Sequence, residues 1–295
     1  MTPTPTENSA DHEPASPRHD GETVTRVRID MAYLGTDFHG WQVQPQLRTV
    51  QGVLTEMIAK LVDLEGYPVG AGRTDAGVHA RHQVCHLDTA SPGEADRLRQ
   101  KLPALAPVDL QVLNVRPVPA SFDARFSACR RRYSYHLLWR RDVFRETTAV
   151  YVPGRLDREA MACGAEFFLG THDCTSFCKR VSLHADGNEC TLDVCRFDWF
   201  EDSAIFQVRA NRFLHHMVRN MIGTLIEIGR GRREPEQIPA ILAKRDRHHA
   251  GRKAPAKGLF LEEVQYPEEL LDPDSRAAPK TVGGGPDINR EGDTT

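Results

Sequence analysis

The sequence has no apolar run long enough to cross a membrane, and its first residues lack the basic start and apolar core of a secretory signal. Its seven cysteines are odd in number and scattered, and no C-x-x-C pair occurs. This spacing argues against a disulfide framework and against the common paired zinc sites. The 295 residues therefore predict a soluble protein of the reducing cytoplasm that makes no use of a membrane.

The chain also lacks an excess of positive charge, since its formal net charge is −3. The acidity comes from the ends: residues 1–24 and 268–295 each sum to −4, which leaves residues 25–267 at +5. Both ends are rich in proline, glycine, threonine and acidic residues and poor in apolar ones, which predicts two disordered acidic tails. The folded part is then basic, and electrostatic attraction to phosphate groups is expected.

Apolar periodicity between the tails predicts strands and helices in an irregular order. Because they do not alternate as regular βαβ units, the expected class is α+β, with an N-terminal α/β half over 25–120 and a C-terminal α/β half over 121–267. The predicted strands are 26–33, 82–88, 110–117, 131–138, 191–199, 204–210 and 259–266, and the predicted helices are 50–62, 94–102, 157–169, 213–228 and 236–244.

The densest chemical signal is the segment G-A-G-R-T-D-A-G-V-H at residues 70–79. Its three glycines predict a tight, shaped loop that holds Asp75 at a fixed position, with Arg73 near enough to keep the carboxylate ionised. Such an aspartate is a candidate nucleophile, metal ligand or general base, and a structural Arg73–Asp75 ion pair is the alternative. The segment lacks the G-K-[ST] of a phosphate loop, a G-x-G-x-x-G that enters a helix, and a second carboxylate for magnesium.

A loop at residues 37–44 is dense in aromatic and amide side chains, among them His39, Trp41 and Gln42. Such side chains can contact the bases or the ribose of a nucleic acid. A turn built around a buried tryptophan explains the same composition. The sequence leaves both interpretations open at this loop.

A second segment, residues 125–135, interleaves four arginines with Tyr133 and Tyr135. Arginine binds phosphate groups, and tyrosine stacks on unpaired bases, so the segment favours a surface for single-stranded RNA. A solvated edge strand is the alternative, although strand edges more often use lysine than tyrosines beside arginines.

The predicted helix 213–228 contains His215, His216 and Arg219. Adjacent residues on a helix point about 100° apart, so the two histidines are not expected to share one metal. They are expected to lie in the core or to make hydrogen bonds. Arg219 lies among apolar residues, where a partly buried guanidinium needs a carboxylate or phosphate partner. Asp75 is the candidate partner.

Three further histidines, His79, His82 and His86, would form a zinc-binding stripe on a helix. A strand after the glycine loop is favoured instead. On a strand His82 and His86 lie on one face but too far apart in space to bind the same metal ion. The basic tract over 244–253 predicts an exposed patch for phosphate, with an ordinary solvated charged face as the alternative.

Together these segments resemble the bacterial tRNA pseudouridine synthase A family over residues 26–267, and the G-R-T-D-A-G-V-H string is highly specific. The resemblance implies an isomerase that converts uridine to pseudouridine at positions 38, 39 and 40 in the anticodon stem-loop of tRNA. It also implies an extended, mostly antiparallel sheet with flanking helices and two similar halves around a cleft, a homodimer, and no cofactor or metal. The matching blocks are 38–42, 49–51, 72–79, 125–128, 132–135, 170–177, 213–220 and 258–261.

Carried over residue by residue, the resemblance implies that Asp75 is the nucleophile and that Tyr133 contacts the target uracil. Arg219 is expected to pair with Asp75, and Arg73 to fill the space of the flipped base or to hold a phosphate. The covalent route stays open between attack at the ribose, attack at the base and elimination. The remaining residues expected to bind substrate are His39, Trp41, Gln42, Arg132, Tyr135 and His215.

The chain departs from the family pattern at Leu34, where an aspartate is usual, and at Cys174, where a phenylalanine is usual. Neither position touches the expected nucleophile. Two other classes compete with the isomerase: a non-catalytic RNA-binding module on the same fold, and a metal-dependent hydrolase that uses His79, His82 and Asp75.

Overall fold

The computed structural model describes residues 24–179 and 187–271. Apart from Val24 and residues 268–271, both predicted tails lie outside the described residues. Glu268–Leu270 form a turn of 3₁₀ helix, and the next carbonyl, that of Leu271, accepts a hydrogen bond from Arg116 Nη1 at 3.1 Å. Residues 268–271 therefore still contact the fold, and the predicted tail bounds stay a prediction. No helix within the described ranges is both long enough and apolar enough to span a bilayer.

The described chain contains ten strands and five α-helices. The strands are β1 Thr25–Tyr33, β2 Val69–Gly70, β3 His79–Thr89, β4 Leu110–Pro117, β5 Arg130–Leu138, β6 Val150–Tyr151, β7 Gly170–Asp173, β8 Glu189–Trp199, β9 Ser203–Ala210 and β10 Leu259–Gln265. The helices are α1 Val50–Ala59, α2 Pro92–Lys101, α3 Arg158–Glu166, α4 Met217–Gly229 and α5 Gln237–Lys244.

All ten strands belong to one sheet, whose main path runs β4-β1-β3-β10-β5-β9-β8-β7. Every pairing on this path is antiparallel except β10 with β3, and β5 also pairs in parallel with the short β6. The last strand of the chain, β10, therefore sits in the middle and joins the N-terminal strands to the C-terminal ones. The predicted α+β class with an extended, mostly antiparallel sheet is confirmed.

Local capping explains where three of the helices begin. The side chains of Thr49, Ser91 and Asp157 each accept a hydrogen bond from a backbone N–H in the first turn of α1, α2 and α3. At α2, Glu94 Oε2 also accepts from the N–H of Ala90, the residue before the cap, at 2.9 Å. These polar signals sit directly before apolar faces that pack on the sheet.

Two buried cores lie along the sheet. The first collects apolar side chains of β1, β3, β4, α1 and α2, and the second collects those of β5, β8, β9, α3, α4 and α5. β10 contributes Leu261 to the first core and Leu259 to the second. Tyr133 on β5 packs against both cores, so it stands at their junction.

The structure differs from the predicted elements mainly at irregular backbone. The predicted helix 213–228 starts only at Met217, because His216 has φ 68° and cannot continue a right-handed helix. β3 starts three residues earlier than predicted, at His79. The short strands β2, β6 and β7 have no apolar alternation long enough to predict them.

Candidate active site

The glycine loop connects β2 to β3 and is fixed by the segment that precedes α1. Trp41 N–H donates to Thr74 O at 3.0 Å, and the hydroxyls of Thr74 and Tyr33 lie 2.8 Å apart. Gly40 has φ +88°, and a Cβ on it would stand 2.6 Å from Thr74 O. The close approach of the two segments therefore requires glycine at this position. It leaves the next residue, Asp75, half-buried, with 17 % of its side chain exposed.

The Asp75 carboxylate faces three nitrogen-bearing side chains from the C-terminal half. Arg219 Nη1 donates to Asp75 Oδ2 at 2.6 Å. His215 Nε2 lies 3.2 Å from Oδ1, and His216 Nε2 lies 3.5 Å from Oδ2. The expected ion pair between Arg219 and Asp75 is present, whereas the exposed Arg73 makes no ion pair with the residues that the structure describes.

The turn before α4 brings both histidines to this carboxylate. His216 adopts the left-handed backbone conformation, which is uncommon for a residue other than glycine and often marks a functional site. His215 and His216 therefore precede the helix, and their ring centroids lie 4.0 Å apart. The expectation that these side chains diverge by about 100° on a helix is wrong, because neither residue is helical.

The guanidinium of Arg219 is anchored on its far side as well. Arg219 Nε donates to Ala254 O at 2.8 Å, and Ala254 N–H donates back to Arg219 O at 3.0 Å. Gly223, one turn further along α4, admits the segment that carries Ala254, because a Cβ there would collide with Arg252 O. Arg219 thus meets Asp75 from a fixed position.

The surroundings of Asp75 keep it ionised. Burial alone would raise the pKa of Asp75. The hydrogen bond from His215, the charge that His216 acquires at low pH, and the hydrogen bond and charge of Arg219 together lower this pKa to about 2. Burial lowers the pKa of His216 to about 4, so this imidazole is uncharged at neutral pH. The permanent cation next to the carboxylate is therefore Arg219.

Asp75, His215 and His216 present ligand atoms within 4.8 Å of one another, a spacing that a metal ion can use. Two cations face the same cluster: Arg219 bonds Asp75, and Lys253 Nζ lies 3.4 Å from His216 Nε2. Their charges oppose a divalent ion at this place. The arrangement is better suited to an ionised carboxylate that works beside an anionic substrate.

Tyr133 is an aromatic side chain that senses the charge of Asp75. Its ring packs edge-on against Phe213, with centroids 5.1 Å apart. Burial raises the pKa of Tyr133, and the charge of Asp75 adds to this shift, so the phenol stays protonated. Among the described residues, no hydrogen-bond partner holds the Tyr133 hydroxyl, which leaves it available to a substrate.

Arg131, two residues before Tyr133 on β5, organises the backbone around the site. Burial lowers its pKa, and it makes no ion pair with a carboxylate in the described parts of the chain. Its guanidinium instead donates to four backbone carbonyls, which tie the start of the glycine loop to the segments before β5 and after β9. These acceptors are Ala71 O at 3.1 Å, Arg125 O at 2.6 Å, Ala128 O at 2.8 Å and Asn211 O at 2.9 Å.

Two residues expected to bind substrate lie in the cores instead. Tyr135 is 0 % and Trp41 2 % exposed. Tyr135 Oη donates to Pro255 O at 2.8 Å, and the Trp41 ring packs against Gly70. Direct contact of either ring with RNA is therefore excluded in this structure, and the expectation is corrected to a packing role.

The other expected substrate residues fall into two groups. Arg132 lies on the opposite face of β5 from Tyr133, since strand residues alternate, and its Nε lies 3.3 Å from Glu263 Oε2. The structure therefore does not bring Arg132 to Asp75. The exposed His39 and the half-buried Gln42 flank the loop residue that contacts Thr74, and their contribution to substrate binding stays a prediction.

The three histidines considered for zinc have separate partners. His79 Nδ1 accepts from Gly35 N–H at 2.9 Å, so this buried ring braces the start of β3. His82 Nε2 lies 2.9 Å from Asp30 Oδ1, and His86 Nδ1 accepts from a backbone N–H at 3.0 Å. They do not converge with Asp75, which removes the geometry that the hydrolase alternative needs.

Two residues of the site escape sequence reasoning. By periodicity His216 belongs to a helix, and Lys253 belongs to an exposed basic tract. The structure places both against the Asp75 cluster. The two adjacent histidines ahead of a helix are the available sequence signal for His216. No local sequence pattern shows that Lys253 lies close to His216 in the fold.

Comparison with known proteins agrees with this geometry. A family model described as tRNA pseudouridine synthase matches residues 165–267. The protein named tRNA pseudouridine synthase A from Azorhizobium caulinodans is 41 % identical over 252 residues, covering 84 % of this chain and 97 % of its own. The protein of the same name from Halalkalibacterium halodurans is 44 % identical over 241 residues, which cover 80 % of this chain and 91 % of the relative. That from Parabacteroides distasonis is 40 % identical over 251 residues, covering 84 % and 98 %.

These relatives span nearly their whole length on this chain, and the matched part includes both the glycine loop and α4. Identity near 40 % over more than four-fifths of the chain is high enough to establish common family membership. The chain belongs to the tRNA pseudouridine synthase A family.

Proposed function

We propose that the protein isomerises uridine to pseudouridine at positions 38, 39 and 40 of the tRNA anticodon stem-loop, with Asp75 as the nucleophile. Family membership makes it a tRNA pseudouridine synthase, an isomerase that acts on uridine in tRNA. The choice of the anticodon arm rests on the resemblance of the G-R-T-D-A-G-V-H segment and its companion blocks. The role of Asp75 rests on its surroundings.

The observation that carries the role of Asp75 is its ionisation inside a half-buried site. A nucleophilic carboxylate must be unprotonated and must reach its target without a full water shell. Arg219 secures the charge at 2.6 Å, and that charge also acts on the phenol of Tyr133. A surface that only binds RNA has no need of a carboxylate among phosphates, which weighs against the non-catalytic alternative.

The reaction exchanges one bond to the ribose for another. The bond from ribose C1′ to uracil N1 breaks, the bond from C1′ to C5 forms, the C5 proton leaves, and N1 gains a proton. The change is redox-neutral. Asp75 can assist it by attack at the ribose, by attack at the base or by elimination at the ribose, and its ionised state serves each route.

The target uridine must leave the base stack before Asp75 can reach it, because the stacked helix hides the sugar and the base edge. We expect Tyr133, whose ring is braced by Phe213, to abut the flipped uracil. Arg73 is exposed on the glycine loop that carries Asp75. It fills the space that the flipped base vacates, or it holds a phosphate. His39, Gln42 and His215 border the loop as further contacts.

We also propose that two copies of the chain act together as a homodimer and that they work in the cytoplasm. The dimer is proposed from the family resemblance, and sedimentation of the purified protein in solution tests it directly. The seven cysteines are all free, which fits a reducing compartment. Fractionation of the host cell tests the location.

Substitution Asp75→Asn tests the catalytic role, because the amide keeps the size of the side chain and loses its charge. Pseudouridine formation in the anticodon arm is expected to vanish while tRNA binding survives. Substantial turnover by this variant overturns the nucleophile assignment. Mapping pseudouridine in host tRNAs without the gene tests the positions: loss at another site with 38–40 still modified refutes the proposed substrate.

A further inference from the structure

A cleft of about 210 Å³ opens beside the C-terminal end of α4. Four exposed cations line it, and we call them the basic groove: Arg230, Arg232, Arg252 and Lys253. Within residues 24–179 and 187–271, none of the four forms an ion pair with a carboxylate. Unpaired cations that line one cleft repel one another unless an anion lies between them.

The one carboxylate that lines the cleft is already bound by other groups. Arg233 Nε donates to Glu227 Oε2 at 2.6 Å, and the backbone N–H of Arg252 donates to Glu227 Oε1 at 3.0 Å. These bonds hold Glu227 as a structural tie between α4 and the segment before β10. Its charge is balanced by Arg233, so the basic groove keeps a surplus of positive charge.

The backbone that carries Arg252 and Lys253 is held at both sides. Gly251 N–H donates to Thr224 Oγ1 at 2.8 Å. Ala254 N–H donates to Arg219 O, and Ala254 O accepts from the Arg219 side chain at Nε. The two cations between these anchors therefore project from a backbone segment that is held against α4. Because their backbone is already held, binding an extended anion costs these cations less conformational freedom.

The basic groove continues into the Asp75 site through a single side chain. Lys253 Nζ lies 3.4 Å from His216 Nε2, and His216 in turn lies 3.5 Å from Asp75. The charge of Asp75 also acts on the pKa of Lys253. An anion that follows the groove therefore ends next to the candidate nucleophile.

We propose that the basic groove binds the phosphodiester backbone of the RNA on one side of the nucleotide that enters the Asp75 site. The proposal rests on the proposed function, because an RNA substrate supplies the chain that leads to this nucleotide. A polynucleotide carries one negative charge per residue and can therefore meet several cations of the groove at once, whereas a single small anion would engage only some of them. Lys253 then contacts the phosphate nearest to the reacting ribose.

The test compares two double variants of the full chain. Arg230→Gln with Arg232→Gln removes two groove charges, and Lys60→Gln with Lys101→Gln removes two exposed charges at the ends of α1 and α2 as a matched control. Fluorescence anisotropy measures the affinity for a labelled anticodon-arm hairpin at several salt concentrations. The groove variant is expected to bind about tenfold more weakly at low salt, with the slope of log K against log salt reduced by about 1.4. The control keeps the wild-type slope.

Equal losses in both double variants indicate a response to overall charge and overturn the proposal, as does an unchanged slope in the groove variant. Binding by an acidic protein partner in place of RNA gives the same unchanged slope. If the groove variant fails to fold, as judged by circular dichroism, Arg252→Gln alone repeats the measurement with an expected reduction of about 0.7. If the wild-type protein binds the hairpin but forms no pseudouridine in it, the proposed function is refuted. The comparison of binding between the two double variants can still be interpreted in that case.

Discussion

Arg219 Nη1 and Asp75 Oδ2 lie 2.6 Å apart, although 144 positions separate the two residues in the sequence. Asp75 comes from a loop of the N-terminal half, and Arg219 comes from α4 of the C-terminal half. The ion pair therefore spans the region where the two hydrophobic cores meet. The proposed nucleophile has its charge secured only after both halves have packed on the common sheet.

Arg219→Gln is expected to lower kcat at least about 100-fold, the order expected when a fixed charge interaction at a reacting group is lost. Because Arg219 favours the ionised form of Asp75, its removal raises the pKa of that carboxyl. The acid limb of the rate profile then moves to higher pH. Measurement of kcat between mildly acidic and neutral pH checks this direction. A fall in kcat with an unmoved acid limb would show that Arg219 does not act through the charge of Asp75.

Arg219→Lys is the conservative control, since it keeps a cation and loses the planar fork that bonds Asp75 and Ala254 together. Its acid limb is expected to stay close to that of the wild type. Its kcat is expected to fall less than that of the glutamine variant. Identical profiles for lysine and glutamine would contradict a role for the charge.

His216 makes the stability of the protein sensitive to acid. Burial lowers its pKa from 6.5 to about 4, so between these values the unfolded chain binds a proton that the folded chain refuses. The free energy of unfolding is therefore expected to fall as pH drops from 6.5 towards 4. His216→Asn removes this titration, and asparagine tolerates the left-handed backbone. Urea unfolding of both proteins at pH 7 and pH 4.5 checks the difference, and parallel losses in the two would disprove it.

The large elements of the fold follow from local sequence, and the site follows from where irregular backbone places a few side chains. β1, β4 and β5 show alternation along most of their length, and capping residues precede α1, α2 and α3. The position of β10 between β3 and β5 has no local signal, since it depends on a contact between the end of the chain and its middle.

Within the site, Asp75 and Arg219 were predictable because a carboxylate on a glycine loop and an arginine in an apolar helix each need a partner. His216 was not, because helical periodicity runs through residue 216 and the left-handed turn that interrupts it leaves no pattern. Tyr135 was misassigned because alternation gives Tyr133 and Tyr135 the same face. Tyr135 is buried by residues far along the chain, among them Pro255, whose carbonyl accepts from its hydroxyl, and Gly258, which lies against its ring.

Tyr133→Phe separates the ring from the hydroxyl. The hydroxyl has no partner in the described residues, so its loss is expected to change the free energy of unfolding by less than about 0.5 kcal/mol. Tyr135→Phe is the matched control, because it breaks the hydrogen bond to Pro255 O and is expected to destabilise by about 1 kcal/mol. If Tyr133 acts by stacking on uracil, Tyr133→Phe retains most of kcat and Tyr133→Ala loses it. A phenylalanine variant as inactive as the alanine variant would instead assign the catalytic contribution to the hydroxyl.

Gly40→Ala tests whether the glycine loop must be held closely to position Asp75. Gly40 has φ +88°, and its Cβ would stand 2.6 Å from Thr74 O, so alanine both strains the backbone and forces the loop outward. Gly66→Ala is the control, since Gly66 has φ +79° with nothing within 4 Å of its Cβ and suffers the strain alone. Gly66→Ala is expected to cost about 1 kcal/mol with unchanged kcat, and Gly40→Ala to cost about 2 kcal/mol or more with kcat reduced at least about tenfold. Urea titrations and single-turnover rates on the same tRNA measure both quantities. If the two variants match in kcat, the contact between residue 40 and Thr74 does not position Asp75.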